Sequence, residues 1–241
     1  RPPAESDSEA NAVEPESCLM IKTSVLLLVL SLLCLELGVS VRLMGAGIDW
    51  RALQWSRKMT AVRIAGEINI DGVLDEPEWK LAEPAADFIQ KLPDTGAPAS
   101  EKTEVRILYN DEILYIGAHC WDSAGPAGIV VNDISKDFES KDSDGFKIGL
   151  DTFNDDRNGY LFATNPAGGR FDLQSTKDGD LMNKNWNGIW YNASTVDQDG
   201  WHLEIAIPFK TLRFTKDEIQ EWGINFERRV RHKSEDSYWS P

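Results

Sequence analysis

The sequence predicts an all-β protein: an antiparallel β-sandwich of jelly-roll type with one short helix near its start. Three observations carry this. Apolar and polar residues alternate with a period of two in at least six segments, the pattern of half-buried strands. Long helical periodicity is nearly missing from the same region. No strand–helix–strand rhythm, Gly-rich phosphate loop or internal repeat breaks the pattern.

The elements follow in chain order. Val62, Ile64 and Gly66 alternate with Arg63 and Ala65 in the first strand. The stretch GEINIDGVLDEPEW then runs from Gly66 to Trp79. Pro77 suits the first turn of a short helix, where its missing N–H has no partner to lose. Asp75 is placed to cap that helix, with Trp79 and Leu81 facing inward. Phe88-Ile89 reads as a short strand, and Leu92 to Ser100 as a Pro/Gly/Ala-rich loop. Glu104–Tyr109 and Ile113–Trp121 form a hairpin turned by Asn110-Asp111, residues that tolerate tight turns. Phe146, Ile148 and Leu150 alternate next, then Tyr160, Phe162 and Thr164 after the polar turn FNDDRNG. Trp201, Leu203, Ile205 and Ile207 define a strand on which Glu204 alternates outward, toward the surface or rim. Trp222, Ile224, Phe226 and Val230 complete the set.

The chain has 241 residues, enough for one good-sized domain or two small ones, and its 41% hydrophobic content with nine Trp supports a packed core. A net charge of −15 excludes a nucleic-acid partner, which needs a basic surface. It leaves room for a neutral ligand, a cation or no ligand. Residues 1–19 are polar and acidic, precede Met20, and are set aside as upstream of the true start or as an over-extended gene model. Residues 20–46 read as a signal peptide: Lys22 precedes the Leu-rich run SVLLLVLSLLCLELGVSV. The alternative, a membrane anchor, is disfavoured by Glu36, which stops the apolar run after about a dozen residues, too few for a core of ~30 Å. Cleavage follows Ser40 or Ala46. Leu33 just before Cys34 makes a poor lipoprotein box. The leader implies export to the periplasm, outer membrane or cell surface of a bacterium. Residues 47–61, with Trp50 and Trp55, read as a linker, and 62–241 as the sandwich. Cys18 and Cys34 lie before or inside the leader, so Cys120 is left without an intramolecular partner and reads as a buried small hydrophobe.

Several blocks, in order, resemble the carbohydrate-binding module family 9-like sandwich: INIDGVLDEPEW, VRILYNDEILYIGAHCWD, DGFKIGLDTFNDDRNGYLFATNPAGG, the W-x-G-x-W of Trp186 to Trp190, and GWHLEIAIPFKTLRF with WGINFERRVRHKSE. The similarity covers Ile64 to Pro241. More narrowly, the set is similar to exported bacterial proteins whose N-terminal sandwich precedes a C-terminal outer-membrane-type β-barrel. The resemblance implies non-catalytic binding of an oligo- or polysaccharide, in the service of polysaccharide recognition or breakdown, and a terminal-sugar slot lined by aromatic rings. The alternatives are an interaction module attached to such a barrel with no sugar ligand and, further off, a haem-binding sandwich that would draw on Met182, His119, His202 or His232.

Sugar binding needs flat aromatic faces for C–H surfaces and planar polar groups for hydroxyls. The segment NKNWNGIWYN at 183–192 concentrates both. Trp186 and Trp190 are the expected stacking rings, with Asn185, Asn187 and Arg170 as hydrogen-bonding partners; the bland alternative is that both indoles pack between the sheets. Asn154, Asp156 and Asn158 with Gly159 match the start of a calcium loop, although Asn165 stands where a bidentate Glu belongs. A polar hairpin turn is the stronger reading there, and calcium, which the family can carry, is the one cofactor expectation. No catalytic residue is expected: with 40 acidic residues, a glycosidase-like pair is uninformative. Arg228, Arg229, Arg231, His232 and Lys233 form a basic run, read as a solvated strand end or as a contact for an acidic sugar or the barrel.

Overall fold

The computed structural model describes residues 56–138 and 140–240. The upstream segment, the predicted leader, Cys18, Cys34, Trp50 and Trp55 lie outside the described residues. Two sheets stack into a sandwich. The first comprises β1 (Val62–Arg63), β3 (Thr103–Tyr109), β4 (Ile113–Trp121), β9 (Tyr191–Asp197) and β10 (Gly200–Pro208), in the order β1-β3-β4-β10-β9. The second comprises β2 (Ile89–Leu92), β5 (Gly145–Asp151), β6 (Gly159–Thr164), β7 (Arg170–Thr176), β8 (Leu181–Asn183), β11 (Gly223–Val230) and β12 (Glu235–Tyr238), in the order β2-β12-β11-β5-β6-β7-β8. Among the described residues, every strand pair is antiparallel except β1 with β3.

The alternating residues meet between the sheets. Ile116, Ala118 and Cys120 of β4 and Leu203, Ile205 and Ile207 of β10 pack with Phe146, Ile148, Phe162 and Phe226 from the second sheet. The Asn110 side chain makes the hairpin turn by accepting the N–H groups of Glu112 and Ile113, both at 2.9 Å. The predicted linker is docked in its described part: the Arg57 guanidinium donates to the carbonyls of Ala86 and Asp87, and Met59 and Ala61 pack on the core.

The opening motif forms a third layer. It crosses the outer face of the first sheet and buries Ile64, Ile68, Trp79 and Ala82 against Leu108, Tyr115 and Ala206. The short helix is a 3₁₀ turn, Pro77–Leu81, led by Glu76 with no side-chain cap, so the capping role expected of Asp75 is corrected. So is the inward position of Leu81, which is 63% exposed: five residues of 3₁₀ helix bury only one side, and Trp79 occupies it.

Glu204 is the main correction to the alternation reading. It does point away from the central core, but the third layer covers it completely. Its carboxylate accepts the backbone N–H groups of Asp71 (3.0 Å) and Gly72 (2.9 Å) and the Trp79 indole N–H (3.0 Å). Gly72 has φ +85°, and a Cβ there would stand 2.8 Å from the Ser194 backbone, so the Ile-Asp-Gly turn needs glycine at this point. Opposite Glu204 on β4 lies Gly117, where a Cβ would come 2.9 Å from the Trp79 ring. The three sites together seat the motif.

Burial pushes the Glu204 carboxyl from 4.5 up to about 7, although the three donors pull the other way. The folded chain therefore holds this proton more tightly than the unfolded chain. The stabilisation is fully present below about pH 4.5 and is lost as pH rises through about 7. Urea titrations across that window should show wild type losing this increment, while Glu204→Gln shows none of it. The amide introduced by Glu204→Gln also turns an N–H donor toward donors already there, and should cost ~1–3 kcal/mol at low pH, a deficit that shrinks as wild type loses its increment at higher pH.

Candidate functional site

The loop 184–190 carries the chain from β8 at the edge of the second sheet to β9 at the edge of the first. Its two indoles divide the work. Trp190 precedes β9 and turns inward, 2% exposed, with the Phe162 ring edge-on at 5.4 Å. Arg170 closes over it: the guanidinium stands 5.6 Å from the ring and Nη1 donates to the Trp190 carbonyl at 2.8 Å. The expected stacking of a sugar on Trp190 is thereby corrected, because no ring face is open. Arg170 serves that packing too.

Trp186 is half-buried. Tyr160 and Phe162 support it, with ring centroids at 5.1 and 5.9 Å. Gly188 lets the loop lie close, since a Cβ there would be 2.7 Å from the indole. The loop is tied down by Gly188 N–H to Asp172 Oδ2 (2.7 Å) and by Thr211 Oγ1 to the Ile189 carbonyl (2.6 Å). Asn185 and Asn187 are exposed beside Trp186, and the Asn187 side-chain nitrogen reaches the Asn185 carbonyl at 3.3 Å. Lys136, which sequence reasoning did not single out, donates to Asn187 Oδ1. Its neighbour Asp137 donates its backbone N–H to the Arg170 carbonyl at 2.7 Å, which brings the 133–137 loop to the same place. The structure thus joins Trp186, Asn185, Asn187 and Lys136 at the surface and leaves Trp190 and Arg170 beneath them.

Trp121 and Trp222 are also partly exposed. Trp121 stacks on His119 at 3.4 Å with the Lys102 ammonium at 4.3 Å from its ring. Trp222 nests against Phe209 and Phe214 and donates to Gln220. Trp121 has no amide side chain bonded to its ring, and Trp222 has one, that of Gln220. A separate cleft is lined by Arg57, Met59, Val62, Leu81, Pro84 and Trp239, none of them from the 183–192 segment.

At the calcium-like loop, Asp151 and Asp155 shape the turn. Asp151 Oδ2 accepts the N–H groups of Asp155 and Asp156 at 2.9 and 2.7 Å, and Asp155 Oδ1 those of Arg157 and Asn158 at 2.8 and 3.0 Å. Asn154 and Asp156 take left-handed φ of 51° and 56°, and Asn158 turns its amide N–H to Asp155. Asn165 is buried and holds its own turn by accepting the N–H groups of Ala167 and Gly169. Asp151 and Asp155 therefore act as Asx-turn formers, and the segment has the polar hairpin turn that is the stronger reading of the sequence.

The basic run is not uniformly solvated, which corrects that expectation. Arg228 is 0% exposed, lies over Trp201 at 5.6 Å and donates to the Trp121 carbonyl at 3.3 Å. Arg229 grips Asp236 with two bonds of 2.5 and 2.7 Å. Of the groups named for haem, His119 and His202 lie with ring centroids 3.9 Å apart on the first sheet, while Met182 is exposed on β8 of the second. Rings that close leave no gap for a porphyrin between them.

The family model described as carbohydrate family 9 binding domain-like matches residues 70–236. Among solved structures, the chain is similar to a family 9 carbohydrate-binding module from Caldicellulosiruptor kristjanssonii in complex with glucose, at 15% identity and TM-score 0.51, covering 74% of this chain and 84% of that one. The same organism's module in complex with cellotriose matches at 17% identity, TM-score 0.49, covering 74% and 83%. A carbohydrate-binding protein from Bacteroides uniformis ATCC 8492, described as putative, matches at 12% identity, TM-score 0.47, covering 73% and 77%. No curated protein matches the sequence.

The two indoles predict different outcomes in denaturant. Trp190→Ala empties a core position and should cost ~3–5 kcal/mol. Trp186→Ala removes a partly exposed ring at the edge of the core and should cost less, about 2 kcal/mol. Chemical unfolding followed by far-UV circular dichroism measures both.

Proposed function

Because the chain belongs to the carbohydrate family 9 binding domain-like family, we propose that it binds carbohydrate non-covalently and is not an enzyme. The observation that carries this reading is the family match, which spans the sandwich from the Ile-Asp-Gly turn to β12. The surface around Trp186 supports it chemically: one partly open indole and two exposed amides stand on a loop tied down through Asp172 and Thr211, and the Lys136 ammonium reaches them from the 133–137 loop. The indole offers a flat apolar face to sugar C–H bonds, and Asn185, Asn187 and Lys136 offer donors and acceptors to hydroxyls. A single ring and a few exposed polar groups give modest affinity, with Kd on the order of micromolar to millimolar.

Glucose and cellotriose, which occur in the complexes of similar modules, are the first probes. Isothermal titration of the full chain should give one-site binding to a glycan of this kind, and Trp186→Ala should weaken it at least tenfold. A glycan array without response, or undiminished affinity in Trp186→Ala, would refute the proposal.

The same proposal places the module outside the cytoplasm, on the strength of the leader-like segment 20–46, and attached to an outer-membrane barrel. Expression of the natural gene with cell fractionation should recover the chain in the periplasm or envelope. Recovery in the cytosol would contradict it.

A further inference from the structure

One end of the sandwich gathers groups that sugar binding does not use. Glu101 lies just before β3, Asp122 just after β4, and His232 in the 3₁₀ turn Arg231–Lys233 after β11. The hairpin holds the first two side by side, with the Trp121 N–H donating to the Lys102 carbonyl at 3.0 Å. One ligating atom from each of Glu101, Asp122 and His232 falls within 4.8 Å of the others. The trio draws two members from the first sheet and one from the second, so it spans the layers.

Asp122 is incomplete without a further partner. It is only 3% exposed. Its Oδ1 accepts the Ala124 N–H at 2.9 Å, but the buried Oδ2 accepts no hydrogen bond. His232 Nδ1 stands 3.5 Å from that oxygen without closing one. A buried carboxylate oxygen left in this state is costly. Its position is built: Gly128 admits Asp122, since a Cβ there would come 2.5 Å from Oδ1. Glu101 is fixed beside it by the Ser123 N–H (3.0 Å) and hydroxyl (2.6 Å), and it pairs with Lys233. Burial raises the pKa of Glu101, but Lys233 and Ser123 outweigh it and hold this carboxyl below its usual range.

We propose that Glu101, Asp122 and His232 bind one divalent cation of borderline hardness, Zn²⁺ being the type, and that the ion ties the two sheets together. Two carboxylate oxygens and one imidazole nitrogen are a zinc-like donor set, with water completing the tetrahedron. Calcium prefers six to eight oxygens and suits the set less well. The Lys233 ammonium now holds the cation position at Glu101. Its side chain is 30% exposed, so it can swing into solvent as the ion enters. The inference does not rest on sugar binding, and neither outcome of the sugar titrations bears on it.

Isothermal titration of ZnCl₂ into the metal-free, reduced full chain tests it, with thermal unfolding in parallel. Wild type should bind one ion per chain at this site and gain several degrees in Tm. His232→Ala, a change at an exposed residue, should weaken binding at least tenfold and abolish the gain in Tm. Asp122→Asn should do the same, with near-UV circular dichroism confirming the fold. Lys233→Met removes the competing cation and should bind more tightly. No Zn²⁺ binding by wild type would overturn the proposal. So would binding unchanged in His232→Ala, which would assign the ion to other groups such as the cysteines, and so would weaker binding in Lys233→Met.

Discussion

The clamp at Glu204 is the constraint on which this structure depends. A sheet whose outer face carries a carboxylate among Tyr115, Gly117 and Ala206 would ordinarily leave that face in water. Here the Ile-Asp-Gly turn and Trp79 deliver three N–H donors to one carboxylate and seal it under apolar cover. Each part requires the others. Without Gly72 the turn cannot approach Ser194; without Gly117 the Trp79 ring cannot lie flat on β4. The hydrogen bonds are worth having only because the site is dry, and they offset part of what burial costs the carboxyl, whose charged form the dry site disfavours. A short acidic-looking motif thus becomes the lid of a second small core.

The same economy appears on the W-x-G-x-W loop. A segment that must cross from one sheet to the other exposes backbone and opens the edge of the sandwich. Trp190 fills that opening and Arg170 braces its carbonyl, while Asp172 and Thr211 fasten the residues between the two tryptophans. With the crossing anchored at one indole, the other stays partly open at the surface. A ring held on a rigid support would lose less entropy on meeting a ligand, and Trp186 is held in this way.

Much of the architecture was legible in the sequence. The hairpin from Glu104 to Trp121, the alternation on β5, β6 and β10, and the two-layer body all follow from period-two patterning and turn residues. What escaped was the consequence of a third layer. Alternation assumes one face in the core and one in water, so Glu204 read as a rim residue when it is wholly covered. The calcium-like spacing overlaps a hairpin turn that Asp151 and Asp155 fold, so spacing alone could not tell the two apart. For Trp186 and Trp190, spacing alone left open whether both packed inward or both faced a ligand. Only the path of the loop separates them. Arg228 was hidden in a basic run because no pattern marks a guanidinium that lies over a buried indole. Lys136 carried no signal at all, being brought to Asn187 by a loop fifty-one residues away in sequence.

The central claim is that the anchored loop around Trp186 is the surface that meets sugar. A ¹H–¹⁵N correlation spectrum of the full chain, recorded as cellotriose is added, examines it residue by residue. The account predicts that the Trp186 indole resonance and the side-chain amides of Asn185 and Asn187 move together and saturate, while the buried Trp190 indole stays nearly fixed. Saturable shifts confined to another face of the sandwich, with these resonances unmoved, would contradict it.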